Sequence, residues 1–140
     1  DDPDPEPFPP HCIVGTPGQA RIPATAWDGS VVVDPDGRGP VQVVPHLTLE
    51  KRHYSVFTHP DAERVIGLYA ASGATFVVYG VATDYCVKAV VLGLLERGHK
   101  VALVVDAIRA VDAACEAKEL TEFAQRGALL VLTDVVCGEC

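Results

Sequence analysis

Residues 74–98, ATFVVYGVATDYCVKAVVLGLLERG, switch period halfway along, and the switch decides the fold. ATFVVYG is continuously apolar and rich in β-branched and aromatic residues, as a strand buried on both faces would be. From about Asp84 to Arg97 the apolar positions Val87, Val90, Val91, Leu94 and Leu95 recur at helical spacing, with Gly98 as the stop. The alternation continues: KVALVVDA reads as a second buried strand, ACEAKELTEFAQRG as a helix and ALLVLTDVV as a third strand. Just upstream, PDAERVIGLYAASG reads as a helix with Pro60 near its first turn and Gly73 at its end. Strands and helices alternating at short spacing require right-handed crossovers, hence a parallel sheet with helices on its faces. The expectation is a three-layer α/β/α fold, a single domain over residues 1–140 whose parallel β/α core spans 60–136.

The N-terminal part is built differently. Seven of the eleven prolines fall within the first 23 residues, a density that neither a helix nor a central strand survives, so residues 1–30 read as a proline-rich arm or loop. VVV at 31–33 and VQVV at 41–44 are short strand-like runs separated by the turn-forming PDGRGP, and LTLEK is an extended segment leading to Lys51. Over 140 residues, a hydrophobic content of 49% is enough for one packed core. A formal charge of −8 leaves no basic cluster to neutralise phosphates, so small molecules or other proteins are expected partners, and nucleic acid and anionic membranes are not. No apolar run reaches the roughly 18 residues of a spanning helix and no basic n-region precedes an apolar one, so a cytoplasmic location is expected. The five cysteines, Cys12, Cys86, Cys115, Cys137 and Cys140, lack the even, dense spacing of a secreted disulfide framework and are expected to be reduced. The C-x-x-C spacing of CGEC at 137–140 has no second ligand pair and reads as a tail.

Open parallel sheets gather ligands and catalytic groups at the carboxyl ends of their strands. Cys86 falls in such a turn: the strand ends near Gly80, Thr83 or Asp84 is placed to cap the next helix, and the thiol lies in its first turn. Unpaired N–H groups and the positive dipole end favour thiolate over thiol there, and the same N–H groups suit an oxyanion formed at a carbonyl that the sulfur attacks. Position alone leaves three roles open for Cys86: a small buried hydrophobe, a metal or redox thiol, or a catalytic nucleophile.

GVATDYCVKA after an apolar strand resembles the nucleophile turn of the cysteine hydrolases of the isochorismatase-like superfamily, the group that contains nicotinamidases. FPPHCIVGTPGQ at 8–19, LEKRHYSVF at 49–57 and DAIRAVD at 106–112 agree with it in order and spacing, so the resemblance covers nearly the whole chain. It implies an isochorismatase-like hydrolase fold and a Cys, Lys and Asp triad working through a thioester. Cys86 matches the nucleophile and Lys51 the catalytic lysine, which helps hold the thiol as thiolate. In the family the peptide joining the matches of Val81 and Ala82 is cis, and N–H groups at the matches of Ala82 and Cys86 form the oxyanion hole. Phe8 sits where those enzymes often place an aromatic wall, and Val81 and Tyr85 complete the implied substrate pocket. His11 matches a histidine of a divalent metal site, with Zn, Fe or Mn as the ion, while the thiol chemistry itself requires no cofactor.

The family's aspartate ends a first strand of the kind LLVVDVQ, and no such strand precedes Asp1: Asp1, Asp2 and Asp4 lie in the proline-rich arm and Asp28 precedes a turn. The chain thus resembles the C-terminal portion of the enzyme, with the first strand missing. A parallel sheet without a central strand exposes two ladders of backbone groups, so pairing with a complementing N-terminal segment or another chain is expected, and the resemblance also implies a homo-oligomer. The implied activity is cleavage of an amide C–N bond of a small molecule. Nicotinamide, hydrolysed to nicotinate and ammonia, is the first choice, with ureido or N-carbamoyl compounds as alternatives. Isochorismate is not expected, because its ether hydrolysis does not use the cysteine. The contrasting expectation is a noncatalytic fragment or relative acting as an interaction or assembly domain.

Overall fold

The computed structural model describes residues 9, 11–71 and 73–138. In chain order it contains β1 (Val31–Val33), β2 (Leu47–Leu49), α1 (Ala62–Ala70), β3 (Thr75–Val81), α2 (Lys88–Glu96), β4 (Lys100–Arg109), α3 (Ala113–Gln125), β5 (Leu129–Val131) and α4 (Thr133–Cys137). β3, β4 and β5 pair in parallel in that order, and β1 pairs in parallel with β2. Helix α2 makes the crossover from β3 to β4, and α3 the one from β4 to β5, so the parallel α/β architecture follows the alternation in the sequence. No helix among the described residues is long and apolar enough to cross a membrane.

The core forms where α2 and α3 meet the sheet. Val87, Val91 and Leu94 cluster with Val101, Leu103 and Ile108 of β4 and with Phe123 of α3, all buried. Leu103 and Phe123 are sealed completely, each such side chain contributing about 1.5–3 kcal/mol by leaving water. β4 is buried at four consecutive positions, Val101 to Val104, as a strand covered on both faces should be. Helix α2 ends where its periodicity predicts: Gly98 adopts φ +75°, and His99 N–H reaches back to the Leu94 carbonyl at 3.0 Å. That closure needs the left-handed conformation, which glycine adopts without a Cβ clash.

Three stretches depart from the sequence reading. β3 is not buried on both faces: Phe76 and Val78 pack on the core, whereas Val77, Tyr79 and Val81 on the opposite face are 44%, 67% and 71% exposed. Among the described residues β3 pairs only with β4, so it is an outer strand with one open face. VQVV at 41–44 forms no strand, because Tyr69 Oη bonds both the N–H (3.2 Å) and the carbonyl (2.8 Å) of Val44 in place of a ladder partner. The last predicted strand stops at Val131, and TDVV becomes the start of α4. There Asp106 Oδ1 accepts both the Thr133 N–H (2.9 Å) and the Thr133 hydroxyl (3.0 Å), which turns the chain out of the sheet.

Candidate active site

The site begins with a shift of register between β3 and β4. Val78 pairs with Leu103 but Gly80 with Ile108, so the offset between partners grows from 25 to 28 residues. Such irregularities re-aim a strand end. The Val81–Ala82 peptide bond that follows is cis, as the resemblance implies. Thr83–Val87 then form one wide π-helical turn, in which Val87 N–H donates to the Ala82 carbonyl at 3.0 Å, and α2 continues from Lys88. Turns of this kind recur at functional sites. Cys86, half-buried, lies within it.

Neither Thr83 nor Asp84 caps the helix in the manner the sequence predicts. Ala82 holds the N-cap position without a side-chain bond, and Thr83 is fully buried, its Oγ1 without a hydrogen-bond partner among the described residues. The Asp84 carboxylate instead spans to the β4–α3 junction, where Oδ1 accepts Val111 N–H (3.1 Å) and Oδ2 accepts Asp112 N–H (3.0 Å). Two donors outside the turn have taken the oxygens that a cap would have used. Partial burial pulls the Asp84 pKa upward, but the N–H groups of Asp112, Val111 and Asp84 itself outweigh it and hold the carboxyl below its ordinary value.

Lys51 reaches Cys86 from the other side. Two residues after β2 the chain turns, and Ser55 caps a short 3-10 turn, Val56–Thr58, by accepting Phe57 N–H at 3.2 Å. The Phe57 ring lies 3.7 Å under the Arg97 guanidinium, just beyond α2, which pins this segment to the helix that carries Cys86. Lys51 Nζ consequently lies 3.4 Å from Cys86 Sγ and 2.6 Å from the His53 carbonyl oxygen. An ammonium donor at that distance stabilises negative charge on sulfur. Among the described residues no carboxylate pairs with Lys51.

A cleft of about 210 Å³ opens beside the pair, lined by Lys51, Tyr54, Tyr79, Val81, Cys86 and Val90, among others. Tyr54 and Tyr85 meet edge to face, with centroids 5.0 Å apart and planes at 63°. Cys86, Lys51 and Val81 are thus gathered in one place, with Tyr85 against the cleft's Tyr54, and Phe8 lies outside the described residues. The sequence reading did not single out Tyr54 or Tyr79. Tyr54 stands three residues after Lys51 inside LEKRHYSVF, and that proximity was the available signal; Tyr79 is there because it falls on the open face of β3.

His11 does not join them in a metal centre. It occupies an exposed loop with Nδ1 3.1 Å from the Pro9 carbonyl oxygen, and no group of three His, Cys, Asp or Glu among the described residues is arranged to hold a metal ion. Among the described residues His11 is the one ligand that the resemblance assigns to the ion, so no step of the proposed chemistry is routed through a metal.

A cysteine and a lysine brought together at the carboxyl edge of a parallel sheet define an α/β protein with a thiol at its strand-to-helix turn. The Isochorismatase domain family matches residues 1–135, and the chain belongs to that family. Among solved structures it is similar to the pyrazinamidase of Pyrococcus horikoshii in complex with zinc, at 26% identity and TM-score 0.61 over 90% of this chain and 63% of that one. It is also similar to the nicotinamidase/pyrazinamidase of Bacillus subtilis, at 22% identity and TM-score 0.63 over 94% of this chain and 68% of that one. An isochorismatase-like hydrolase from Alkaliphilus metalliredigens gives 21% identity and TM-score 0.66 over 92% of this chain and 62% of that one. The chain therefore spans less than two thirds of the length of the Pyrococcus protein. The isochorismatase-like fold is the one these structures share with it. No curated protein matches.

Proposed function

We propose that this chain serves a cysteine hydrolase that cleaves the amide C–N bond of a small molecule, with nicotinamide as the first candidate substrate. The observation that carries the reading is the approach of Lys51 Nζ to Cys86 Sγ in a tyrosine-walled cleft. The thiolate attacks the amide carbonyl carbon, a C–S bond forms, and the carbonyl electron pair moves onto oxygen, where the N–H groups of Ala82 and Cys86 serve as donors. Collapse of this adduct breaks the C–N bond, and the amine leaves with a proton. Water then attacks the thioester, the C–S bond breaks, and the acid departs as the thiolate is restored. Lys51 stabilises charge on sulfur at the start and at the end of the cycle.

The leaving amine needs an acid to protonate it. In this reading the acid is a carboxylate brought by a complementing N-terminal segment or by a second copy of the chain. An apolar hollow of about 300 Å³ between Leu49 of β2 and Phe76 and Val78 of β3, with Ile66 and Leu94 on its wall, is the place for such a segment. A reducing, cytoplasmic setting suits the free thiol.

The test is to incubate the full-length protein with nicotinamide, follow nicotinate and ammonia, and map iodoacetamide labelling to individual cysteines. Cys86 labels first, and Cys86→Ala abolishes turnover while the fold persists. Turnover that survives in Cys86→Ala, or a Cys86 that labels no faster than Cys12 and Cys137, overturns the reading. One observation favours a noncatalytic interaction role instead, the open apolar face of Val77, Tyr79 and Val81. That reading predicts that Cys86→Ala alters stability alone.

A further inference from the structure

The turn that carries Cys86 has no side-chain cap, yet an acidic residue two positions before the thiol spends both carboxylate oxygens on backbone N–H groups 27 and 28 residues away. We infer that Asp84 is a positioning residue for Cys86, tying the nucleophile's turn to the β4–α3 junction. The inference rests on the hydrolase reading of Cys86 given above.

The far end of the tether is itself fixed. Asp112 Oδ1 accepts Ala114 N–H at 2.9 Å and so caps α3, while Asp112 Oδ2 accepts the Cys115 thiol at 3.2 Å. On the other side of Cys86, Lys88 Nζ lies 2.7 Å from Glu119 and 3.4 Å from Glu122, both on α3. The turn is therefore bracketed by the β4–α3 junction, which Asp84 holds before the thiol, and by α3, which Lys88 holds after it. Two cations lie near the turn: Lys51, which touches the sulfur, and the exposed Arg109, which approaches Glu116 at 3.8 Å.

A turn closed by a bond from residue i+5 to residue i is one residue wider than an α-helical turn. If it tightens to ordinary α geometry, the residues within it rotate by about 100° around the helix axis, the angle of one residue. Cys86 would then swing away from Lys51. A carboxylate clamped by two N–H groups opposes that rotation, because tightening would pull both oxygens away from their N–H donors at once.

Charge and position predict opposite results, which makes the inference testable. Removing a negative charge near a thiol favours thiolate, so Asp84→Asn acting through charge alone speeds alkylation at Cys86. Loss of position slows it. The experiment measures iodoacetamide rates at Cys86 in the full chain from about pH 5 to about pH 9, spanning the range in which thiols titrate. Asp84→Asn and Asp84→Glu are made in parallel, with Cys12 and Cys137 as internal references. Expected is a fall of at least about tenfold near neutral pH in Asp84→Asn, with the profile displaced to higher pH. Asp84→Glu, which keeps the charge but shifts the oxygens by one methylene, recovers part of the rate.

An Asp84→Asn protein that labels at Cys86 as fast as the unsubstituted chain, or faster, with unchanged reference cysteines, overturns the inference. If Asp84→Asn does not fold, all its cysteines label alike, and Asp84→Glu decides: a rate equal to that of the unsubstituted protein overturns it. Failure of the hydrolase reading looks different, because Cys86 would then be no more reactive than the references before any substitution.

Discussion

Gly93 offers the sharpest test of how the two halves of the site are held. A Cβ on Gly93 would come inside 3.0 Å of Phe57 Cε2 and Cδ2 and to 3.3 Å from Cζ. The ring has little freedom to yield, since Arg97 covers it at 3.7 Å and is itself held by Glu63 at 2.6 Å, while Ser55 caps the turn that carries Phe57. Alanine in a helix interior gains about 0.5–1 kcal/mol over glycine. Overpacking costs about 1–3 kcal/mol, and displacing the Arg97–Phe57 stack about 0.5–1 kcal/mol more. Gly93→Ala is therefore expected to destabilise the fold by about 1–3 kcal/mol, or roughly 3–9 °C in Tm for a chain of this size. Gly67→Ala in α1 is the control, because nothing lies within 4 Å of its Cβ position and the same propensity gain should appear there as a small stabilisation. Thermal and urea unfolding followed by circular dichroism give both numbers. A Gly93→Ala protein at least as stable as the parent would show that Phe57 is loosely seated and that the packing account of Lys51's position is wrong.

Further outcomes follow from the same geometry. Under the proposed hydrolase reading Cys86→Ala abolishes turnover while shifting stability by no more than about 1 kcal/mol, as expected for a half-buried side chain; a larger loss in urea unfolding would point to a packing role. Lys51→Met keeps the length of the side chain but removes the ammonium 3.4 Å from the sulfur, and should slow Cys86 alkylation near neutral pH by about tenfold, as read by peptide-resolved labelling; equal rates would remove Lys51 from the mechanism. Asp84 has a lower pKa folded than unfolded, so its contribution to stability is present above about pH 4 and lost as pH falls through the folded value. Urea midpoints compared at neutral and acid pH should therefore fall less steeply in Asp84→Asn, and parallel curves would contradict the bonding seen at Val111 and Asp112.

The sequence made the helices and the thiol's address legible because both depend on local chemistry. Val87, Val91 and Leu94 repeat at helical spacing, Gly98 stops the helix, and Cys86 lies in the turn that follows a strand. What stayed hidden depends on distant residues. ATFVVYG reads as a doubly buried strand, but whether Val77, Tyr79 and Val81 are covered is decided by what packs on that face. VQVV has strand composition and loses its ladder to a tyrosine hydroxyl 25 residues further on. TDVV looks like the end of a strand until Asp106, on another strand, claims the Thr133 N–H. Asp84 was legible as a cap from its position, and its real partners at 111 and 112 were not, because side-chain reach across a fold has no local signature. Lys51 came from the resemblance; its 3.4 Å approach to sulfur came from the structure.

The two members of the candidate pair are held by different means to one helix. Lys51 is placed by apolar and cation–π packing of Phe57 against Gly93 and Arg97, and Cys86 by the polar bracket of Asp84 on the β4–α3 junction and Lys88 on α3. These sets share no side chain, so the stability penalties of Gly93→Ala and Asp84→Asn should add to within about 0.5 kcal/mol. Their effects on Cys86 reactivity should not add. Either displacement breaks the same Lys51–Cys86 contact, and once it is broken the second substitution has little left to remove. A double-mutant cycle on alkylation rate should thus show the doubly substituted protein close to the slower single variant, while urea unfolding shows full additivity. Multiplying rate penalties together with adding stability penalties would mean that Cys86 owes its reactivity to two independent environments and not to one contact.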